Sequence, residues 1–258
     1  MSIPWRLVLD PPRPAAENMA LDEALLEHVR DTGLAVLRIY GWSTPSLSLG
    51  RNQPARGRYA LDRAAARGVC FVRRPTGGRA VLHFREITYS VTAPDGALGA
   101  LSESYARINR LLVDGLRRLG VAADVALPAG ASPPPGIAPC FETPVAGEIV
   151  ADGRKLVGSA QLRDRHAILQ HGSILVDDDQ ALASELLVEP KTPPPPPATM
   201  RELLGFAPSL EEFACAMLAA ARALEDPAAS IGQHDHNVIR RSAQLCSRYE
   251  DPDWTWRL

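Results

Sequence analysis

Arg73-Arg74-Pro75-Thr76-Gly77-Gly78-Arg79-Ala80-Val81-Leu82-His83 is the stretch on which the reading of this chain turns. An apolar run, Val69-Cys70-Phe71-Val72, leads into it, and a second, Ile87-Thr88-Tyr89-Ser90-Val91, leads away. The pattern predicts strand, tight glycine turn, strand. Paired glycines let the backbone bend sharply and leave no Cβ between it and a ligand. The flanking arginines predict a ligand with negative charge or a polarised carbonyl.

Upstream of that stretch, residues 5–9 read as a strand, 15–30 as a helix with Met19, Leu21, Leu25, Leu26 and Val29 at helical spacing, 35–40 and 46–49 as strands, and 59–67 as a short helix. Downstream, 101–119 reads as a helix closed by Gly120, and 128–139 as a loop rich in proline and glycine. Asp152-Gly153 between apolar runs predicts a hairpin over 148–161. A strand follows over 166–176, with Ala167, Leu169, His171, Ser173 and Leu175 on one face, then a helix over 179–187. Five prolines at 193–197 form a stiff spacer before helices at 209–224 and 237–247. This order predicts an α/β (α+β) fold: a mixed, largely antiparallel central sheet flanked by helices. Residues 1–190 are expected to form the core, and 191–258 a spacer and helical segment packing on it.

The chain has 258 residues, 46% of them hydrophobic, and a net charge of −2. That balance argues against nucleic acid, and no apolar run is long enough for a membrane helix. Cys70, Cys140, Cys215 and Cys246 are scattered, so no metal site is predicted and a reduced cytoplasmic protein is expected. Cys70, Cys215 and Cys246 sit in apolar patterns and are expected in the core. Of 28 basic residues only Lys155 and Lys191 are lysine. Lys191 precedes the prolines and is expected in solvent. Lys155, beside an arginine able to carry plain charge, is the one whose compact ammonium is expected to matter.

Several ordered motifs complete the pattern. They are Ala16-Glu17-Asn18-Met19-Ala20-Leu21-Asp22-Glu23-Ala24-Leu25, Gly50-Arg51-Asn52-Gln53, the glycine loop, the Lys155 strand, and Leu169-Gln170-His171-Gly172-Ser173-Ile174-Leu175. Together residues 15–176 resemble the biotin/lipoate protein ligase superfamily, whose catalytic domain has a class II synthetase-like fold. Gly77-Gly78-Arg79, where ATP-dependent ligases tend to have three glycines, together with Glu86-Ile87-Thr88-Tyr89-Ser90 and Pro139-Cys140-Phe141-Glu142, is more similar to the LipM-type octanoyltransferases. Phe84 departs from that pattern, where Asp is usual, as does Pro144-Val145-Ala146.

The resemblance implies octanoyl transfer from octanoyl-acyl carrier protein to the lysine of a lipoyl domain. The acceptors are 2-oxoacid dehydrogenase E2 subunits or the glycine cleavage H protein, and no cofactor is needed. It makes Cys140 the nucleophile, and thiolate chemistry agrees, since a thiol gains from a nearby cation such as Lys155. Arg73, Thr76, Gly77, Gly78, His83, Gly158, Ser159 and His171 are the expected substrate-binding residues. Arg73 would hold the substrate carbonyl or the pantetheine arm, while Arg74 alternates outward toward solvent. His83 and His171 are either pocket walls or structural histidines. Val81, Leu82, Val157 and Ile168 are candidates for an apolar tunnel. Arg51, Arg56, Arg58, Arg63 and Arg67 either steer acidic carrier proteins or are a solvated helix face. His234-Asp235-His236 is assigned to the surface. A monomer is expected. The competing readings are an ATP-dependent lipoate or octanoate ligase, an amidotransferase between carrier proteins, and a catalytically dead acyl-binding homologue.

Overall fold

The computed structural model describes residues 3–126, 147–190, 193 and 195–258; Cys140 and Lys191 fall outside them. Eleven strands are described: β1 (Trp5–Leu9), β2 (Ala35–Tyr40), β3 (Ser46–Leu49), β4 (Cys70–Arg73), β5 (Val81–His83), β6 (Glu86–Pro94), β7 (Ala123–Val125), β8 (Ile149–Ala151), β9 (Arg154–Arg163), β10 (Ala167–Leu175) and β11 (Ser230–Gly232). The helices are α1 (Ala15–Thr32), α2 (Leu61–Ala66), α3 (Leu101–Arg118), α4 (Ala181–Glu185), α5 (Met200–Leu204), α6 (Leu210–Leu224), α7 (His236–Glu250) and α8 (Pro252–Thr255).

Eight strands form one sheet in the order β11-β1-β2-β6-β10-β9-β8-β7. β1 runs parallel to β2 and β11; every other pairing is antiparallel, so the sheet is mixed and largely antiparallel as expected. Period-two alternation sorts its faces. On β6, Ile87, Tyr89, Val91 and Ala93 enter an apolar core shared with residues of α3 and α6. Thr88, Ser90 and Thr92 are equally buried but point to the other face. There α1, backed by α7, packs through Met19, Leu21, Leu25, Leu26 and Val29. Ser209 and Glu212 cap α6 reciprocally, each accepting from the other's backbone N–H. Residues beyond 191 pack on the core: α6 lies on α3, α7 lies along α1, and β11 extends the sheet.

The glycine stretch departs from a simple hairpin. β4 and β5, on either side of Gly77-Gly78, do not pair with each other; they flank β3 in a second, three-stranded sheet of order β4-β3-β5. The loop therefore arches over the end of β3, and β3 runs straight into the Gly50-Arg51-Asn52-Gln53 motif beneath it. Arg51 N–H donates to the Thr76 carbonyl at 2.8 Å and Arg74 N–H to the Leu49 carbonyl at 3.0 Å. A Cβ on Gly50 would lie 1.9 Å from the Gly78 carbonyl oxygen, so these two motifs require each other.

Two cysteine expectations are corrected. Cys70 and Cys215 are exposed, because β4 begins at the sheet margin and Cys215 takes an outer position on its helix; Cys246 is half-buried and packs against the core beneath α1. His234 is corrected in the opposite sense: its side chain is buried and its Nε2 lies 2.8 Å from Asp10 Oδ2. Asp235 caps α7. Among the described residues no helix is long and apolar enough to cross a membrane.

Candidate active site

A narrow cavity of about 40 Å³ lies between the large sheet and the small one. Its position follows from strand register. Ala160 of β9 pairs with His171 of β10, which pairs with Ser90 of β6, which pairs with Arg38 of β2. The adjacent row on the same face is Gly158, Ser173, Thr88 and Tyr40. Gly158, Ser159, Ala160, His171, Ser173, Thr88 and Tyr40 line the cavity, with Trp42 just beyond β2. Gly78, Ser48, Val81, His83 and Arg74 close it from the small sheet, and Met19 from α1. Crossing three inter-strand gaps from β9 to β2 spans about 14 Å. Gly78 of the glycine loop thus faces Ala160 at the β9 end, and Trp42 stands at the β2 end.

The polar wall is built as two similar chains. In one, His171 Nδ1 lies 2.9 Å from Asp22 Oδ2 and its Nε2 lies 2.7 Å from Thr76 Oγ1. In the other, His83 Nδ1 lies 2.7 Å from Glu86 Oε1 and its Nε2 lies 2.8 Å from Ser48 Oγ. Arg74 joins them, donating from Nε to Thr76 Oγ1 and from Nη1 to Ser48 Oγ, both at 3.1 Å. Its Nη2 holds the Gly77 and Arg79 carbonyls at 2.7 Å each. Because the carbonyl and N–H of a trans peptide point in opposite directions, tying down the Gly77 carbonyl turns the Gly78 N–H away from Arg74. Trp42 stacks on the His83 ring at 4.1 Å and donates its Nε1–H to Thr88 Oγ1 at 2.7 Å. Thr88 in turn donates to Glu86 Oε1.

Burial decides the charges. Asp22 is fully buried. Burial opposes its ionisation, but the His171 hydrogen bond and the positive charge of Arg38, 2.9 Å away, outweigh this and hold the carboxyl below its ordinary value. Tyr40 and Ser90 also donate to it, at 2.9 and 2.8 Å. Burial pushes the His171 pKa down by more than Asp22 raises it. A neutral His171 facing a carboxylate through Nδ1 carries its proton there, so Nε2 accepts from the Thr76 hydroxyl. Arg38 is itself fully buried and ion-paired with both Asp10 and Asp22.

Of the residues expected at a site, Gly78, His83, Gly158, Ser159 and His171 line this cavity. Thr76 and Gly77 support it through His171 and Arg74. Arg73 stands elsewhere. Fully buried, it donates to the Gly50, Gln53 and Thr255 carbonyls at 2.6, 2.9 and 2.9 Å, clamping the Gly50 motif to the C-terminal segment. Arg74, expected in solvent, is the buried arginine that reaches the cavity; the strand alternation is as read, but the large sheet covers the face taken as outer. Only Val81 of the four tunnel candidates is a lining residue. Leu82 packs in the small sheet's core, and Val157 and Ile168 face α3 and α6, because the sheet presents its opposite face to the cavity. Of the basic run, Arg56, Arg63 and Arg67 are exposed; Arg56 donates to the Trp256 carbonyl, Arg63 to the Glu185 and Leu187 carbonyls, and Arg67 pairs with the Glu185 carboxylate.

Lys155 is buried on β9, upstream of Gly158 and Ser159, with its Nζ 2.6 Å from Glu148 Oε1. Cys140 lies outside the described residues, so no distance joins it to Lys155. Its segment is rooted at Ala126 and Gly147, where the Gly147 N–H donates to the Ala126 carbonyl at 3.0 Å, one residue before Glu148. Among the described residues no group of His, Cys, Asp and Glu is arranged to hold a metal ion.

Asp22, Tyr40, Trp42, Ser48, Glu86 and Thr88 were given no site role from sequence, and Arg74 was placed in solvent. One local signal was available: Arg38 interrupts the apolar strand Ala35-Val36-Leu37-Arg38-Ile39-Tyr40, and a charge there demands a buried partner.

Residues 14–222 match the lipoyl protein ligase A/B catalytic domain. The octanoyltransferase LipM of Kyrpidia tusciae is 38% identical over 98% of this chain and 98% of that protein. The LipM octanoyltransferase of Symbiobacterium thermophilum is 43% identical over 74% of this chain and 72% of its own length. Among solved structures, lipoate-protein ligase A bound with ATP superposes with a TM-score of 0.80 at 22% identity, covering 98% of this chain and 99% of that one. A bi-partite lipoate protein ligase from Thermoplasma acidophilum gives 0.76 at 20%, covering 98% and 96%. Those two likenesses show the fold. With the glycine loop, the Lys155 strand and the cavity all inside the matched span, and with relatives of this identity aligned along most of their length, the chain belongs to the lipoyl protein ligase A/B catalytic-domain family and is an acyltransferase akin to the LipM octanoyltransferases.

Proposed function

We propose that this chain transfers an octanoyl group from octanoyl-acyl carrier protein to the lysine of a lipoyl domain, through a thioester on Cys140. The observation that carries this reading is the cavity's fit to the acyl chain. Seven zigzag C–C bonds of ~1.5 Å span roughly 9 Å, so an eight-carbon chain lies within the ~14 Å between β9 and β2. Burying it contributes about 5 kcal/mol at ~0.8 kcal/mol per methylene. The β9 end, which carries Gly158 and Ser159 and faces Gly78, receives the carbonyl.

In the first step the Cys140 thiolate attacks the donor thioester. The pantetheine sulfur leaves and takes up the proton that Cys140 gave up. In the second, the lysine amine attacks the Cys140 thioester, an amide forms, and the proton lost by nitrogen returns to sulfur. Thioester exchange is nearly balanced and amide formation is downhill, so ATP has no part. Lys155 places a cation beside the root of the Cys140 segment, where it favours the thiolate and the developing oxyanion. Its pairing with Glu148 fixes the ammonium in one position.

Mixing the protein with octanoyl-loaded carrier protein, without ATP, and weighing the intact chain tests the mechanism. A hydroxylamine-labile octanoyl adduct on wild type and none on Cys140→Ala is the expected result. No adduct, or adducts on both, overturns the Cys140 mechanism.

A further inference from the structure

The acyl cavity has a second space behind its far wall. A cleft of about 310 Å³ lies on the outer side of Trp42, lined on its apolar side by Pro12, Phe84, Val176, Pro208 and Leu210 and on its polar side by Arg85, Glu86, Asp177 and Arg201. Trp42 is common to both linings. The indole is 7% exposed, stacked on His83 and bonded to Thr88, which bonds to Glu86. A flat ring locked on one side by stacking and at its edge by a hydrogen bond is a rigid stop. Phe84, 45% exposed, places an aromatic surface in the cleft beyond it.

We infer that Trp42 sets the acyl-chain length this enzyme accepts, and that removing its ring joins the cavity to the Phe84 cleft and admits chains well beyond eight carbons. The inference rests on the octanoyl-transfer reading for the identity of the ligand. It deepens that reading by assigning specificity to one residue. The register supplies the polarity. With the carbonyl held at β9, the terminal methyl reaches the β2 side of the cavity, where further methylenes meet the indole face. Thr88 tolerates the loss of the indole N–H because its hydroxyl still donates to Glu86. The path opened is apolar along Pro208, Leu210 and Phe84. Exposed Phe84 is also the place where a carboxylate would make that path unfavourable without touching the cavity.

The test compares acyl-carrier-protein thioesters of 6, 8, 10, 12 and 14 carbons as donors to a lipoyl domain, by product mass, in wild type, Trp42→Leu, Trp42→Ala and Trp42→Ala/Phe84→Asp. In parallel, the shift in unfolding midpoint on adding free octanoic or dodecanoic acid reads the cavity alone. Wild type is expected to prefer 8 over 12 carbons by at least ~10-fold in kcat/KM, as a closed pocket rejects added methylenes. Trp42→Ala should raise the 12-to-8 ratio by at least ~10-fold and Trp42→Leu by less. Adding Phe84→Asp should take back most of that gain, and dodecanoic acid should stabilise Trp42→Ala but not wild type. A wild type that uses 12 carbons as readily as 8 overturns the inference without recourse to any variant. So does a folded Trp42→Ala or Trp42→Leu with the wild-type length profile in both assays. Length-dependent stabilisation by the free acids without transfer by wild type keeps the Trp42 assignment and removes the transferase reading. Octanoyl transfer by wild type with no Trp42-dependent shift does the reverse.

Discussion

The substitution Asp22→Asn changes no shape and removes one charge, and the structure gives a magnitude for the result. Asp22 accepts from four donors: Arg38 and Ser90 on one oxygen, Tyr40 and His171 on the other. An amide keeps only one oxygen, so two of the four donors face an N–H₂. At ~1–3 kcal/mol for each orphaned buried donor the cost is about 2–6 kcal/mol. The lower half applies if His171 reverses its tautomer and accepts through Nδ1 from the introduced amide. Arg38 keeps Asp10, so its charge is not stranded, which also limits the loss below the ~3–5 kcal/mol typical of a broken buried pair. We expect about 3 kcal/mol in urea unfolding followed by circular dichroism, or roughly 6–12 °C in Tm for a chain of this length. The tautomer change moves the proton to Nε2, toward Thr76 and away from its wild-type arrangement, so the His171 ring nitrogen shifts in an NMR spectrum should exchange character. A loss under ~1 kcal/mol would refute the assignment of Asp22 as the hub of the cavity's polar wall. Unchanged His171 nitrogen shifts would refute the proton arrangement.

The other expected outcomes are more local. Gly50→Ala puts a methyl into the Gly78 carbonyl; it should cost ~1–3 kcal/mol and, by displacing the glycine loop, lower octanoyl transfer at least ~100-fold, checked by unfolding and by product mass. Acid should destabilise the fold in two stages. Native His171 resists a proton that the unfolded chain takes up below ~6.5, and native Asp10 and Asp22 stay ionised where their unfolded counterparts protonate, near ~3.9. In both cases the unfolded state binds more protons, so stability falls as pH falls; a flat Tm between pH 7 and 5 would contradict the His171 part. Lys155→Arg should fold yet lose transfer by ~100-fold or more, because a guanidinium cannot occupy the compact ammonium's site beside Glu148; wild-type rates in that variant would remove Lys155 from the chemistry.

Much of the fold was legible in local patterns. The strands at 35–40 and 46–49 coincide with β2 and β3, the 101–119 helix with α3 to within a residue, and the Asp152-Gly153 hairpin joins β8 to β9. These elements declare themselves through alternation, helical spacing and turn chemistry, all of which act within a few residues. Five of the expected binding residues line one cavity for a similar reason: the motifs sit at strand ends and along the neighbouring strands β9 and β10. The thiols and the second arginine were harder to read. Whether Cys70 or Arg74 is buried depends on what covers its strand, and β4 has a neighbour on one face near Arg74 but little beyond its start.

By itself, then, the chain of residues determined the elements, their order, the family, and the need for a tight glycine loop. Only tertiary structure decided which arginine serves the cavity, that Arg73 braces the C-terminal segment, and that two histidine–carboxylate pairs meet through Arg74. Trp42's place between two cavities belongs to the same class. Asp22 and His171 are 149 positions apart, yet 2.9 Å separates their side chains. Periodicity reports which face a residue takes, whereas a contact between faces exists only after the two sheets and α1 have closed on one another.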